Sequence, residues 1–415
     1  MLKLKSMKSW FKNIGPGPLI AAAFIGPGSV TVCTLAGAGF GYALLWALVL
    51  SIVATIVLQE MSARLGIITQ KGLSDIIRTE IKHPWFKGFV IVLMLSAIVI
   101  GNAAYEAGNI SGGVLGLQTV LGNPSVNVFG YSINILSIIL GGLAFVLLYL
   151  GNYKILERVL LALVILMSLA FLVSAILTKP DVVSIFKGAF VPSFPGNSLL
   201  LIIGLIGTTV VPYNLFLHAS LVKEKWNKTS DLGLAKKDTI IAVVLGGVVS
   251  MAIIVSAASM QGNNISNASD LAKGLEPLFG SFAKYFLAIG LFAAGLTSAI
   301  TAPLAAAYVA SGCFGWSSHL KSKKFQSVWA IVLILGVIFS SVGIKPIDII
   351  KFAQVSNGIL LPFMAVILLW LVNKSSVLGA FKNSLKQNIL AILILLISIL
   401  LSVATINKIF NFNLF

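Results

Sequence analysis

Twelve Asp and Glu residues are spread through the 415-residue chain, and nearly all fall between apolar runs or at their ends. Glu106 is the exception. It lies well inside a run, in Gly101-Asn102-Ala103-Ala104-Tyr105-Glu106-Ala107-Gly108-Asn109, where an ionised carboxylate is costly unless paired or reached by water. It is therefore either a proton-exchanging group or a protonated acid bonded to a backbone carbonyl. His218 is the only one of three histidines within an apolar run. Imidazole changes charge near neutral pH, so His218 is a second proton-carrying candidate, or else an interhelical strut. Glu60 and Arg64, four apart near the end of a run, read as an i,i+4 pair or a gate contact.

Two runs carry helix breakers in their middle: Gly26-Pro27-Gly28-Ser29 and Thr208-Thr209-Val210-Val211-Pro212-Tyr213. Proline removes a backbone donor and clashes with the preceding turn, and glycine lets the chain unwind. Unwound backbone at membrane depth is tolerated only where it is buried or lines a cavity. One such break is more simply a kink; two in matching positions point to a transporter's central site. The ligands there are sparse. The first break offers Gly26 and Ser29, and the second offers Thr208, Thr209, Val211 and Tyr213: hydroxyls and carbonyls, with no anionic or soft group for a dehydrated divalent or soft metal. Cys33 and Cys313 both lie in apolar runs, where a small buried hydrophobe is the simpler reading than a disulfide or metal pair. No phosphate loop, hydrolase triad or zinc cluster is present, so neither a cofactor nor an enzymatic activity is expected.

These residues must be positioned by membrane spans. The chain is 58% hydrophobic and only 10% charged, so most of it cannot be the surface of a soluble domain. Apolar segments run about Pro18 to Phe40, Leu44 to Ala63, Phe89 to Leu115, Ile133 to Leu150, Val159 to Ile176, Leu199 to Leu221, Ile240 to Met260, Phe286 to Cys313, Val328 to Val342, Ile349 to Val372 and Ile389 to Ala404, which makes eleven spans. The net charge of +17 is topological rather than a sign of nucleic acid. With the N-terminus in the cytoplasm, the cytoplasmic tail and loops hold 22 of the 29 Lys and Arg, as the positive-inside rule requires. No removable signal peptide is read at the N-terminus. The expected location is the cell membrane. One break opens each group of five spans, and an odd number per group inverts the second relative to the first. The expected fold is therefore an all-α integral membrane protein: a single domain with a first repeat over residues 18–178, an inverted second over 199–372, and an additional helix over 389–404.

At these residues the sequence resembles the Nramp family of proton-coupled divalent metal transporters, within the class that has the LeuT-type fold. Gln59 to Ile77 is similar to the family's second helix and following loop, and Tyr153-Lys154-Ile155-Leu156-Glu157 to the entry of its fifth. Gly207 to His218, Gly290 to Pro303 and Gln354 to Phe363 follow its sixth, eighth and tenth helices. The resemblance implies divalent cation transport by alternating access. Where the family has an Asp-Pro-Gly-Asn break whose Asp and Asn bind metal, this chain has Gly26 and Ser29. Where the family's sixth helix supplies an alanine carbonyl, a methionine sulfur and a histidine, the positions here are Thr208, Val211 and Tyr213. Of the acidic pair on the third helix only Glu106 remains, with Ala103 in the other place. His218 matches a second sixth-helix histidine, and the ninth span has no arginine.

Three functions fit these observations. A divergent Nramp-type carrier would hold a cation through carbonyls at both breaks, Ser29, Thr208 and retained water, which suits a hard cation such as Mg²⁺ better than Mn²⁺ or Fe²⁺. A carrier of a neutral or zwitterionic organic solute would use Ser29, Thr208, Thr209, Tyr213, Asn214, Gln354 and Asn357 as hydrogen-bonding groups, with half-helix N-termini facing a carboxylate. A membrane sensor would keep the fold without cycling, although unwound backbone is costly to retain without a ligand.

Overall fold

The computed structural model describes residues 25–128, 131–151, 154–262 and 265–410. Residues 18–24 of the expected first span, and Tyr153 of the motif entering the fifth, lie outside the described residues.

The helices follow in chain order. They are α1 (Pro27–Phe40), α2 (Leu45–Thr69), the short α3 (Leu73–Glu80) and α4 (Pro84–Leu121). A hairpin leads to α5 (Ile135–Leu150), α6 (Lys154–Leu177) and α7 (Val182–Phe190). Then come α8 (Leu199–Thr209), α9 (Pro212–Lys225), α10 (Leu232–Ala258), α11 (Ala283–Phe314), α12 (Lys323–Ser341), α13 (Pro346–Val372) and α14 (Leu385–Phe410). Proline begins α1, α4, α9 and α13, at the position where a missing N–H costs nothing and a fixed φ is already helical. Gly151 and Gly315 end α5 and α11 at φ 62° and 69°, a left-handed stop that a side chain would strain.

Among the described residues nine helical segments are long and apolar enough to cross a membrane, and α5 is a shorter apolar helix. With α1, the described part of the first expected span, these match the eleven expected spans. Several boundaries differ from expectation. The third span is longer, Pro84–Leu121, and includes a π-helical stretch at Ser96–Ile100. The ninth starts at Lys323 and the eleventh covers Leu385–Phe410, because helices continue into polar flanks that a hydropathy reading trims. The fourth starts at Ile135, since the residues before it form an antiparallel hairpin, Ser125–Val128 with Tyr131–Asn134, paired Ser125 to Asn134 and Val126 to Ile133. No strand was expected.

Long apolar side chains such as Ile100, Ile176 and Leu400 point outward, as they must where lipid is the solvent. Inside, small residues set the packing, because close backbone approach replaces the hydrophobic drive that lipid removes. A Cβ on Gly295 of α11 would lie 2.6 Å from the Cα of Gly113 on α4. Only hydrogen fits there, so α4 and α11 touch along their backbones. Asn102 of α4 donates to the Ala302 carbonyl of α11 at 2.9 Å, tying the same pair polar to polar.

Candidate substrate site at the two interruptions

Gly26 is extended, with φ −100° and ψ −174°, and α1 starts at the next residue. Its carbonyl accepts the Val30 N–H at 3.2 Å. The second interruption is narrower than the sequence implied: α8 ends at Thr209 and α9 starts at Pro212, so only Val210 and Val211 are non-helical. Pro212 has no N–H to return to the Thr208 carbonyl. Three helix ends therefore meet here, the partly positive starts of α1 and α9 and the partly negative end of α8.

Ser29 Oγ and Thr208 Oγ1 are hydrogen-bonded at 2.9 Å, 179 residues apart in the chain. Both are buried. Above them sits α13. A Cβ on Gly28 would fall 2.1 Å from Gln354 Nε2, and a Cβ on Gly207 would fall 1.9 Å from the Gln354 carbonyl oxygen. The two glycines thus let α13 rest directly on both interruptions, with the Gln354 amide over the first. Tyr213, on the first turn of α9, meets Tyr105 of α4 edge to face, with ring centroids 5.4 Å apart. Gly26, Ser29, Thr208, Gln354 and Tyr213 are thereby gathered around the interruptions, and Val211 is fully buried in the second. Asn357 lies one turn along α13 from Gln354.

Several polar atoms in this region are buried without a hydrogen-bond partner: both amide atoms of Asn214, Gln354 Oε1 and Asn357 Nδ2. Each such atom costs about 1–3 kcal/mol, a penalty that a polar ligand or water removes. Among the described residues no group of three His, Cys, Asp or Glu side chains converges to hold a metal. The oxygen and amide groups at the interruptions are all neutral.

Glu106 and His218 lie at other interfaces. Glu106 is fully buried, accepts from Asn109 Nδ2 at 3.2 Å, and packs against α12, where a Cβ on Gly336 would stand 2.4 Å from Glu106 Cγ. Its Oε1 has no partner. His218 bonds through Nδ1 to Gln59 Oε1 of α2 at 2.7 Å, so with the proton on Nδ1 the imidazole donates to the amide oxygen. No described hydrogen bond joins the two. Glu60 and Arg64 do pair, at 3.0 Å, and Arg64 also donates to the Phe381 carbonyl at 2.8 Å and to Asn383 Oδ1 at 2.6 Å, fastening α2 to the segment between α13 and α14. Sequence reading gave no role to Gln59, Tyr105 or Asn109, although each is a polar group inside an apolar span, the signal that marked Glu106.

A polytopic helical bundle in which an interrupted span meets the start of another helix at the centre is the architecture of a LeuT-type membrane transporter. The chain belongs to the Nramp family, because the family model for "Natural resistance-associated macrophage protein-like" matches residues 17–408. It is 26% identical over 422 residues to the divalent metal cation transporter MntH of Bacillus subtilis, covering 97% of this chain and 94% of that one. The manganese transporter of Eremococcus coleocola shares the fold, with a TM-score of 0.75 at 21% identity, over 98% of this chain and 89% of that one. MhsT in complex with L-phenylalanine is a more distant fold relative, with a TM-score of 0.54 at 18% identity, over 93% of this chain and 98% of that one.

Proposed function

We propose that this chain is a secondary transporter that moves a hard divalent cation of the Mg²⁺ type by alternating access, holding it partly hydrated at the two interruptions. The carrying observation is the Ser29–Thr208 hydrogen bond, which puts two neutral oxygens where the broken helices meet. Family membership and the divalent metal transport of its MntH relatives supply the class of cargo. The donor set supplies the selectivity: Mg²⁺ keeps several waters and is held by oxygen, whereas selective capture of softer ions uses sulfur or nitrogen. The two repeats are residues 18–178 and 199–372, and the N-terminus is cytoplasmic, the side on which 22 of the 29 Lys and Arg then lie. Glu106 and His218 are the candidate proton carriers. The test is uptake into proteoliposomes of purified protein: saturable Mg²⁺ flux that excess Mn²⁺ fails to outcompete supports the reading, and Mn²⁺ flux exceeding Mg²⁺ flux overturns it.

One observation favours a second reading. The unpartnered amide atoms of Asn214, Gln354 and Asn357, with the starts of α1 and α9 nearby, suit a zwitterionic organic solute as well as hydrated metal. Saturable uptake of an amino acid in the same vesicles, without any divalent cation flux, would select it. Binding without any flux would select the sensor.

A further inference from the structure

The turn between α11 and α12 has no role in the central site, yet it concentrates charge and aromatic surface. Lys321, Lys323 and Lys324 are all exposed within four residues, and among the described residues none of the three forms an ion pair. The chain has no acidic residue between Glu276 and Asp348. Asp75, which faces this turn from α3, is occupied by Arg78 at 3.4 Å. Arg78, its charge met by Asp75, braces the turn: its Nε donates to the Gly312 carbonyl at 2.8 Å, and a Cβ on Gly315 would lie 3.0 Å from its Nη1. Beside these cations, Phe314 and Trp316 stack at 4.5 Å with planes 22° apart, and Lys324 Nζ stands 5.2 Å from the Trp316 ring centroid. Phe314 is 50% exposed and Leu320 is 40% exposed.

Among the described residues no carboxylate forms an ion pair with Lys321, Lys323 or Lys324. Lys323 and Lys324 occupy the first turn of α12, the end of a helix at which cations are disfavoured, so an anion brought to this turn is doubly favoured. The turn joins two apolar helices, which places it where the hydrocarbon gives way to headgroups. There an aromatic pair seats itself in the interface, and basic residues attract anionic lipid at about 1 kcal/mol each.

We propose that this turn is a binding site for an anionic phospholipid: Lys321, Lys323 and Lys324 hold the phosphate, while Phe314, Trp316 and Leu320 seat against the upper acyl chains. The occupant is a membrane lipid rather than a soluble phosphate, because the apolar half of the site has no use for an ion alone.

The experiment reconstitutes the full-length chain in nanodiscs of phosphatidylcholine, with and without phosphatidylglycerol, and reads retained lipid by native mass spectrometry and stability by thermal unfolding. Wild type should retain phosphatidylglycerol in preference to phosphatidylcholine and unfold at a higher temperature when it is present. Retention should fall about fivefold for each lysine replaced by Gln among Lys321, Lys323 and Lys324, and the Lys→Arg triple should keep it. Replacing Lys179, Lys187 and Lys284 with Gln is the control and should change nothing. If the Gln triple fails to purify, the exposed single variants Lys323→Gln and Lys324→Gln carry the same test. Undiminished phosphatidylglycerol preference in these variants would overturn the proposal, as would inorganic phosphate in detergent reproducing the full stabilisation. Neither outcome depends on which solute the central site carries.

Discussion

Ser29 and Thr208 meet side chain to side chain at 2.9 Å, one from the first turn of α1 and the other from the last turn of α8. Two hydroxyls that share one bond, and on the proposed function one ligand, do not act independently. In a double-mutant cycle, Ser29→Ala, Thr208→Ala and the double variant should lower cation affinity by similar amounts, leaving a coupling energy of about 0.5–3 kcal/mol. Isothermal titration with Mg²⁺ measures it. Strictly additive losses would show that the two hydroxyls do not serve a common ligand.

Transition-metal binding should be weak, because Gly26, Ser29 and Val211 supply no carboxylate, amide or thioether. Restoring the anion by Gly26→Asp should strengthen divalent cation binding by at least about tenfold, since hydrogen-bonded charge at a low-dielectric site is worth about 1.5–3 kcal/mol. Titration of both proteins with Mn²⁺ and Mg²⁺ reads the change. Unchanged affinity in a folded Gly26→Asp protein would count against a cation site at the first interruption.

The two glycines under α13 should respond differently to the same methyl group. At Gly28 the obstacle is the Gln354 amide, a side-chain end that can swing away; at Gly207 it is the Gln354 carbonyl, with the Gly358 nitrogen 2.6 Å off. Gly28→Ala should fold and alter substrate affinity. Gly207→Ala should cost about 1–3 kcal/mol, because backbone pressed on backbone has nowhere to move. Detergent melting curves beside flux assays separate the two, and equal melting temperatures would refute the distinction.

Proton coupling, if it drives transport, should depend on Glu106. Glu106→Gln keeps the shape and removes the titration, so flux in proteoliposomes should lose most of its response to an imposed pH gradient. His218→Gln should weaken it less, because the ring is engaged by Gln59 on one side and the carboxylate has only Asn109. A Glu106→Gln protein that follows the gradient as wild type does would make the residue structural.

Much of this architecture was legible because its causes are local. Pro27 and Pro212 break their spans for reasons contained in the tripeptides around them, and Glu106 was conspicuous for the company it keeps in sequence. What escaped had causes distant in the chain. That Gln354 would lie over Gly28 depends on how closely α13 approaches two glycines some 150 and 330 residues away. The hairpin over Ser125–Val128 and Tyr131–Asn134 has no long alternating run, and its four-residue strands are too short to announce themselves. Gln59 sat in a motif readable as family resemblance, but its partner His218 is 159 residues distant.

Gly336 sets the distance between α12 and Glu106, and this constrains how the protein can change. A counter-charge for the carboxylate cannot arise by one substitution at position 336, because any side chain there collides with Glu106 Cγ before its own head group can reach an oxygen. A basic partner on that face would require α12 to retreat first, or the glutamate to be lost at the same time. The dependence runs one way: while the acid stays the glycine must stay, whereas a smaller residue at position 106 would leave position 336 free to change.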